Sequence, residues 1–371
     1  YTETLVAANS AVAANTAKTG ITSGQTSAIT ANTAKTGITS DQASAITANT
    51  AKVSGATNVT GLSDGLVENN SIWIGNDPSA TTDEAQYNVA IGTTALSSVT
   101  TGDYNTAVGH GALSANTTGS RNTAIGRYSL PQNTDGENNI AMGFYTMYSN
   151  TTGSENIAIG NSSLTSNTTG NHNAALGKAS LKANTTGNYN SGFGANALYS
   201  NTTASNNTAL GFNTLTTNTT GSSNTAVGSS GLYYNTTGTN NVASGTYVLR
   251  LNTTGSYNTA SGVRSLDANT TGNYNTAIGH KSLYVNNGDS NVGIGLDAML
   301  SNTTGSKNTA LGTGAGKVVT TGSYNLVLGS DAEGSSSSAE NQIAIGYNAT
   351  GHGDNIAVIG NTDMTAWHPA D

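Results

Sequence analysis

Histidine and carboxylate side chains are the first residues to test for chemistry, because they supply metal ligands and acid–base groups. The chain has five histidines: His110, His172, His280, His352 and His368. His110 and His280 each follow a glycine of the same recurring segment, ten copies apart. That separation is too large for a zinc site, whose ligands must converge on one ion. We therefore interpret the histidines as surface residues and expect no metal site.

The carboxylates and serines do not form a catalytic set either. A glycosidase needs two carboxylates about 5–10 Å apart across the scissile bond, whereas the acids are scattered and Asp135 and Glu137 share one polar turn. No G-x-S-x-G segment occurs, and the glycine-rich stretch Gly312–Gly316 does not have the spacing of a phosphate-binding loop. We predict that the chain is not an enzyme and has no cofactor. Cleavage of a polysaccharide is the enzymatic alternative that stays open.

Tyrosines that recur at the repeat spacing are the better candidates for binding. Tyr87 and Tyr104 each precede the recurring asparagine in consecutive copies, as do Tyr257 and Tyr274. Exposed aromatic rings at this spacing can stack on sugar rings, so we predict these four as glycan contacts. The alternative is that each ring packs only on its neighbour along the repeat. A second set of tyrosines recurs nearby: Tyr148, Tyr199, Tyr233 and Tyr284.

The elements that position these residues are set by a 17-residue repeat. The glycine after "NTAx" falls at Gly75 and then at every seventeenth residue as far as Gly279. The remaining copies follow at Gly295, Gly312, Gly329, Gly346 and Gly360, which makes eighteen in all. With this glycine as position 0, position −4 is nearly always Asn, −2 is Ala, −1 is branched or apolar and +4 is Leu. One structural unit is therefore stacked repeatedly.

The register predicts a parallel β-solenoid. "NTAIG" is short, rich in Thr and Ile and bounded by glycine, which indicates a strand with Thr and Ile on one face and Ala on the other. We predict a second short strand at "xxSL" and a turn at "NTTG", whose glycine supplies a positive φ. Stacked asparagines can hydrogen-bond along the rod as ladders. At about 4.8 Å per rung, eighteen rungs give a rod of roughly 85 Å.

About three apolar positions per repeat are few for a closed core. The small alanine column would let another backbone approach closely. We therefore expect several chains to share one core. An exposed end of the rod would be a bare strand edge, which needs a cap or a neighbouring domain.

The first 60 residues keep the spacing but have a helical composition. Related segments start at Val12, Ile29 and Ile46, and they are rich in alanine with a lysine near their ends. With Ile46 at heptad position a, Asn49 falls at d. We predict a helical stalk over residues 1–60, a β-solenoid over 61–361 and a C-terminal extension over 362–371.

These helical segments resemble the coiled-coil stalks of trimeric autotransporter adhesins and phage fibres. The shared pattern is V/I-x-x-N-T, found here at Val12–Thr16, Ile29–Thr33 and Ile46–Thr50. In those stalks the asparagines point to the three-fold axis and can enclose an anion such as chloride. The resemblance assigns this anion contact to Asn15, Asn32 and Asn49.

The solenoid resembles the left-handed parallel β-roll of the same adhesins' heads. The match is best at Asn341–Gly360, where the glycine spacing shortens to 14. The longer rungs differ by about three residues, and the enlarged "NTTG" turn is similar to those of phage tail fibres. The ending "AVIGNTDMTAWHPAD" is similar to the stretch before a self-cleaving chaperone domain in such fibres. The resemblance implies a mainly β, homotrimeric left-handed β-roll behind an α-helical coiled-coil stalk.

Composition excludes several other classes. A net charge of −8 argues against a nucleic-acid partner, and the absence of cysteine removes disulfides and thiol chemistry. No run of about 18 apolar residues occurs, so we expect no membrane insertion.

Together these features predict a structural and adhesive fibre, the shaft of a phage tail fibre. We expect it to be extracellular on a virion and to contact a cell-surface glycan or receptor and other fibre or virion proteins. One alternative is a bacterial trimeric autotransporter adhesin on the cell surface, or another extracellular appendage. Another is an ice-binding solenoid that uses its threonine columns.

Overall fold

The computed structural model describes residues 65–68, 71–74 and 84–364. These residues form one sheet of 19 short strands. The strands are β1 (Gly65–Glu68), β2 (Ser71–Ile74), β3 (Val89–Ile91), β4 (Thr106–Val108), β5 (Thr123–Ile125), β6 (Ile140–Met142), β7 (Ile157–Ile159), β8 (Ala174–Leu176), β9 (Ser191–Phe193), β10 (Thr208–Leu210), β11 (Thr225–Val227), β12 (Val242–Ser244), β13 (Thr259–Ser261), β14 (Thr276–Ile278), β15 (Val292–Ile294), β16 (Thr309–Leu311), β17 (Leu326–Leu328), β18 (Ile343–Ile345) and β19 (Ala357–Ile359).

The strands stack as a parallel β-solenoid, which confirms the fold predicted from the repeat. Each strand from β2 to β18 pairs in parallel with the next, so that Ala107 of β4 lies opposite Ala124 of β5. The chain makes sixteen turns between β3 and β19. Most turns take 17 residues, but β14 to β15 takes 16 and β18 to β19 takes 14. At β2 the stack is covered by β1, which pairs antiparallel.

The predicted helical stalk over residues 1–60 lies outside the described residues, as do residues 365–371 of the predicted extension. The described part from 65 onward contains strands and turns and no helix. The left-handed sense of the winding and the trimer stay predictions.

The two faces of each strand differ as the alternation predicts. In β7, Ala158 is fully buried, while Ile157 and Ile159 keep 39% and 38% of their surface exposed. The same pattern recurs from rung to rung, with alanine at −2 inside and positions −3 and −1 outside. The predicted division of the strand residues is confirmed.

One chain closes its own core, so the expectation of a core shared between chains is wrong. The leucines at +4, such as Leu164 and Leu181, are fully buried and pack with the alanine column in one continuous cluster. Small residues at +3, such as Ser163, fill the space between them. The alanine column therefore faces its own chain and does not receive a neighbouring backbone. What remains for another chain is the outward side of the strands.

The predicted second strand at "xxSL" is also wrong, because that segment is a continuous turn. Residues at +2 and +4 have left-handed backbones, with φ of +51° at Tyr128 and +50° at Leu113. A left-handed residue other than glycine costs about 1–2 kcal/mol. Hydrogen bonds between rungs hold this conformation: the Leu113 N–H donates to the Ser129 carbonyl at 3.1 Å. Burial of the leucine offsets the remaining cost.

The glycine of "NTTG" does not supply the positive φ that was predicted. Its role is steric: a Cβ on Gly153 would lie 2.8 Å from Nδ2 of Asn167 and closer still to the carbonyl of Gly170. The positive φ occurs instead at the glycine that follows each strand, such as Gly177 at +131°. There a Cβ would lie 2.6 Å from the backbone of Gly194. Both glycine columns exist because the backbones of successive rungs touch.

Two buried asparagine ladders run through the rod, which confirms the predicted role of asparagine. At −4, Oδ1 of Asn139 accepts the backbone N–H of Asn156 at 3.0 Å. Nδ2 of Asn156 donates to the carbonyl of Gly170 at 2.8 Å. At +7, Nδ2 of Asn167 donates to Oδ1 of Asn150 at 2.7 Å. The ladders replace water for polar groups that the closed rod buries.

The −4 ladder has a defined start and end. Ser71 begins it, because its Oγ accepts the N–H of Asn88 at 2.8 Å. Gln342 ends it by accepting the N–H of Ser335 at 2.9 Å. The 16-residue turn breaks the other ladder, since Oδ1 of Asn269 has no partner among the described residues.

Candidate functional site

The outward side of the strands, positions −3 and −1, forms the first of two contrasting surfaces, called here the strand face. From Ile72 to Ile359 it carries no Lys, Arg, His, Asp or Glu among the described residues. Many of its side chains are large, apolar and exposed: Ile72, Ile91, Ile140, Met142, Ile157, Ile159, Leu210, Val227, Val242, Ile278, Leu311, Ile343 and Ile359. Exposed apolar patches of this kind occur at protein–protein or membrane contacts and in ligand-binding grooves.

The second surface, called here the turn face, consists of positions +1, +2 and +5 in the turns after β3 to β18. It carries seven of the cations of this part of the chain: Arg127, Lys178, Lys182, Arg250, Arg264, Lys281 and Lys317. Only three acids share it: Asp267, Asp297 and Asp331. The face therefore has a net charge of +4 (7 − 3, with His neutral), although the whole chain carries −8.

Four of the Phe and Tyr side chains on the turn face form an aromatic cluster near its N-terminal end. The Tyr145 and Tyr148 rings stack with centroids 5.0 Å apart, and Phe144 meets Tyr145 edge-on at 4.3 Å. The guanidinium of Arg127 lies 4.9 Å from the Tyr128 centroid and 5.8 Å from that of Phe144. The cluster consists of His110, Arg127, Tyr128, Phe144, Tyr145 and Tyr148.

Sequence reasoning missed this cluster, although it had singled out Tyr148. The signal was available, because Tyr128 and Tyr145 occupy +2 in consecutive copies and Phe144 stands beside Tyr145 at +1. The predicted strand at this segment puts +1 and +2 on opposite faces, so it does not bring these side chains together. The left-handed backbone at +2 brings both side chains to the surface.

A second group of charges on the turn face is centred on Asp267. Its side chain is fully buried, and Oδ1 accepts from Nε of Arg250 at 2.9 Å. Burial raises the pKa of the Asp267 carboxyl above its ordinary value, while Arg250 and Arg264 oppose that rise. Arg250 and Arg264 both lie over the Tyr247 ring, at 5.2 and 5.8 Å. The arginines are thus committed to partners within the rod.

The four predicted glycan contacts are brought together in pairs. Tyr87 stacks on Tyr104 at 4.9 Å and 7°, and Tyr257 stacks on Tyr274 at 4.9 Å and 6°. All four are about half exposed. In each stacked pair, one face of each ring packs against its neighbour. Glycan contact at these residues stays a prediction.

The histidines that were considered as metal ligands do not come together with enough other ligands for a metal site in the described residues. His172 stacks on Tyr189 at 4.7 Å and lies 3.0 Å from Oε2 of Glu155. His110 contacts the Tyr128 hydroxyl at 3.2 Å. No group of three potential metal ligands occurs in the described part of the chain.

The turn that contains "NTT" also matches a glycosylation pattern, but its asparagines at +7 are buried in the ladder. Asn167 and Asn184 are fully buried. The first threonine is also engaged, since Oγ1 of Thr168 donates to the carbonyl of Thr185 at 3.1 Å. The second threonine, such as Thr169, is exposed. Ice binding by these columns stays a prediction.

The predicted anion contacts Asn15, Asn32 and Asn49 lie outside the described residues. Within residues 65–68, 71–74 and 84–364, no helix exists that could cross a bilayer. No protein-family model matches the chain, and no curated protein matches it significantly. The functional argument therefore depends on the two surfaces of the rod.

Proposed function

We propose that the chain forms a homotrimeric fibre whose rod is the shaft of an extracellular attachment appendage, and that the appendage is a phage tail fibre. The observation that carries this proposal is the strand face, which is free of charge over the whole described rod and carries exposed apolar side chains on most of its rungs. Three copies would bury their strand faces against one another, and the turn faces would point outward to a receptor.

The size of the strand face fits a stable interface. Three strand residues at about 3.3 Å each give a width near 10 Å, and eighteen strands about 4.8 Å apart give a length of roughly 80 Å. The product is about 800 Å² per chain, so a trimer would bury roughly 2,400 Å² of strand face in all, divided among three contacts. A lone rod would leave this surface in water.

Identical copies are the natural occupants of such a face. Two rods of the same chain have the same rung spacing, so their apolar rows can interdigitate along the full length, whereas a globular partner would cover only part of it. The number three comes from the stalk motif at Asn15, Asn32 and Asn49, which resembles trimeric coiled coils. A bacterial trimeric adhesin would use the same assembly and is the alternative biological setting.

Electron microscopy and cell binding test the proposal together. Negatively stained protein should show straight rods with a β-portion of roughly 80 Å and a thickness of three chains. Labelled protein should bind intact bacteria in flow cytometry, and an excess of unlabelled protein should displace it. Rods one chain thick that bind no cells would contradict the proposal.

A further inference from the structure

We propose that the aromatic cluster of the turn face is a binding site for a polysaccharide that carries carboxylates. The inference rests on the proposed attachment function, because it names the chemistry that the outward face would recognise. The site is formed by Arg127 together with the rings of Tyr128, Phe144, Tyr145 and Tyr148.

Arg127 is the residue that selects for charge. Its side chain is exposed, and its guanidinium has no ion pair or hydrogen bond within the described part of the chain. Contact with the Tyr128 ring holds the group in place while leaving its N–H edges free. A planar guanidinium held in this way is ready to bind a carboxylate through two parallel hydrogen bonds.

The rings supply the second half of the recognition. Phe144 is 42% exposed at the surface. The C–H faces of a pyranose ring pack on exposed aromatic side chains, and the sugar hydroxyls stay in water or bond to tyrosine hydroxyls. A carboxylated sugar would then place its ring on the aromatic side chains and its carboxylate on Arg127.

The ring of Tyr128 is fixed by the backbone beneath it. It lies over Gly111, where a Cβ would come within 2.6 Å of its Cδ1 atom. Edge-on contacts with Tyr145 at 5.5 Å and with His110 at 5.1 Å hold its sides. The site is thus formed before any ligand arrives, which lowers the entropic cost of binding.

Charge complementarity favours an anionic sugar over a neutral one. The turn face carries a net charge of +4 in a chain of −8. Acidic residues outside the turn face, such as Glu137 and Glu155, would repel a carboxylated polymer from the part of the rod that carries them. The polymer would therefore run along the turn face.

The test is calorimetric titration of the full chain with a pentamer of galacturonic acid, and with maltopentaose as the neutral sugar. We expect the acidic pentamer to bind and Arg127→Gln to weaken it about tenfold or more, which corresponds to one lost charged hydrogen-bonding partner. Arg264→Gln removes an equal charge from the same face and should leave the affinity within about twofold. Equal losses in the two variants, or equal binding of maltopentaose, would overturn the proposal.

A double substitution of the rings separates this site from the stacked tyrosine pairs. Tyr145→Ser with Tyr148→Ser should abolish measurable binding of the acidic pentamer, and Tyr257→Ser with Tyr274→Ser should preserve it. The reverse result would move the glycan site to the stacked pairs and contradict the assignment. The mass of each sample, measured by light scattering, shows separately whether the trimer of the proposed function is present.

Discussion

The strand face and the turn face come from the same repeat but have opposite properties. Positions −3 and −1 exclude every charged residue along the described rod, whereas +1, +2 and +5 collect seven cations and most of the irregular aromatic contacts. Each repeat position forms one continuous stripe along the rod, because successive repeats stack directly on one another. In the proposed fibre, one stripe would serve association and the other would serve recognition.

The backbone explains why the two stripes do not mix. A strand presents alternate residues outward, so the strand face can use only −3 and −1. The turn face uses left-handed residues, which turn neighbouring side chains to the same surface. Glycine at position 0 forms the corner between them.

Charge placed on the strand face should have the largest effect. In Ile157→Glu with Ile159→Glu, two exposed apolar side chains of β7 become carboxylates that would face their counterparts in the other copies. Burying unpaired like charges costs several kcal/mol, so we expect dissociation to monomers in size-exclusion chromatography with light scattering. Asn161→Glu adds a carboxylate at +1 of the same turn and should leave the assembly intact. If both variants dissociated, or if both stayed assembled, the strand face would not differ from the turn face in its role in association.

The corner glycine should have the next largest effect. In Gly92→Ala, the new Cβ would lie 2.8 Å from the backbone of Gly109, at a φ of +128°. We expect the free energy of unfolding to fall by about 2–3 kcal/mol, measured by chemical denaturation. Thr94 lies in the same turn, is exposed and has a φ of +58°. Its replacement by glycine should stabilise the rod by about 1 kcal/mol, and a loss of stability there would contradict the strain argument.

The asparagine ladder, which holds both faces in register, should show a smaller effect. Asn156→Ala removes the acceptor of the Asn173 N–H and the donor to the Gly170 carbonyl. Leaving these buried groups unpaired should cost about 1–2 kcal/mol. Asn161→Ala, at an exposed site in the following turn, is the matched control. If the ladder hydrogen bonds did not stabilise the fold, both variants would show the same small loss in free energy of unfolding.

Replacing Asp267, the buried carboxylate of the turn face, should have the smallest effect on stability. Burial raises its pKa in the folded protein above the ordinary 3.8. The folded state therefore binds the proton more tightly, and the stability from this group is present below pH 3.8 and is lost as the pH rises through the folded pKa. The Asp267→Asn variant has no carboxyl at this position, so it does not lose stability in this way as the pH rises. Its thermal midpoint minus that of the wild type should therefore be larger at pH 7 than at pH 3.

The exposed Asp135→Asn variant provides the control for this pH dependence. An equal difference from the wild type at both pH values for Asp267→Asn would contradict a raised pKa of Asp267 in the folded protein.

Much of the rod could be predicted from the sequence, because the 17-residue spacing and the alternation around Ala158 fix the strands and their register. The leucines at +4 misled the prediction, since nothing in a buried leucine signals the left-handed backbone that Leu164 adopts. The closed core was also missed, because buried asparagines such as Asn156 were not counted as core volume. The aromatic cluster depends on that same turn geometry, so it emerged only with the structure.

The central claim is that identical chains associate through the strand face, and sedimentation equilibrium of the full chain tests it most directly. The chain mass is 37.1 kDa, so the account predicts 3 × 37.1 = 111.3 kDa at micromolar concentration. A mass of 37.1 kDa under the same conditions would contradict it, because the charge-free strand face would then stand in water without a partner.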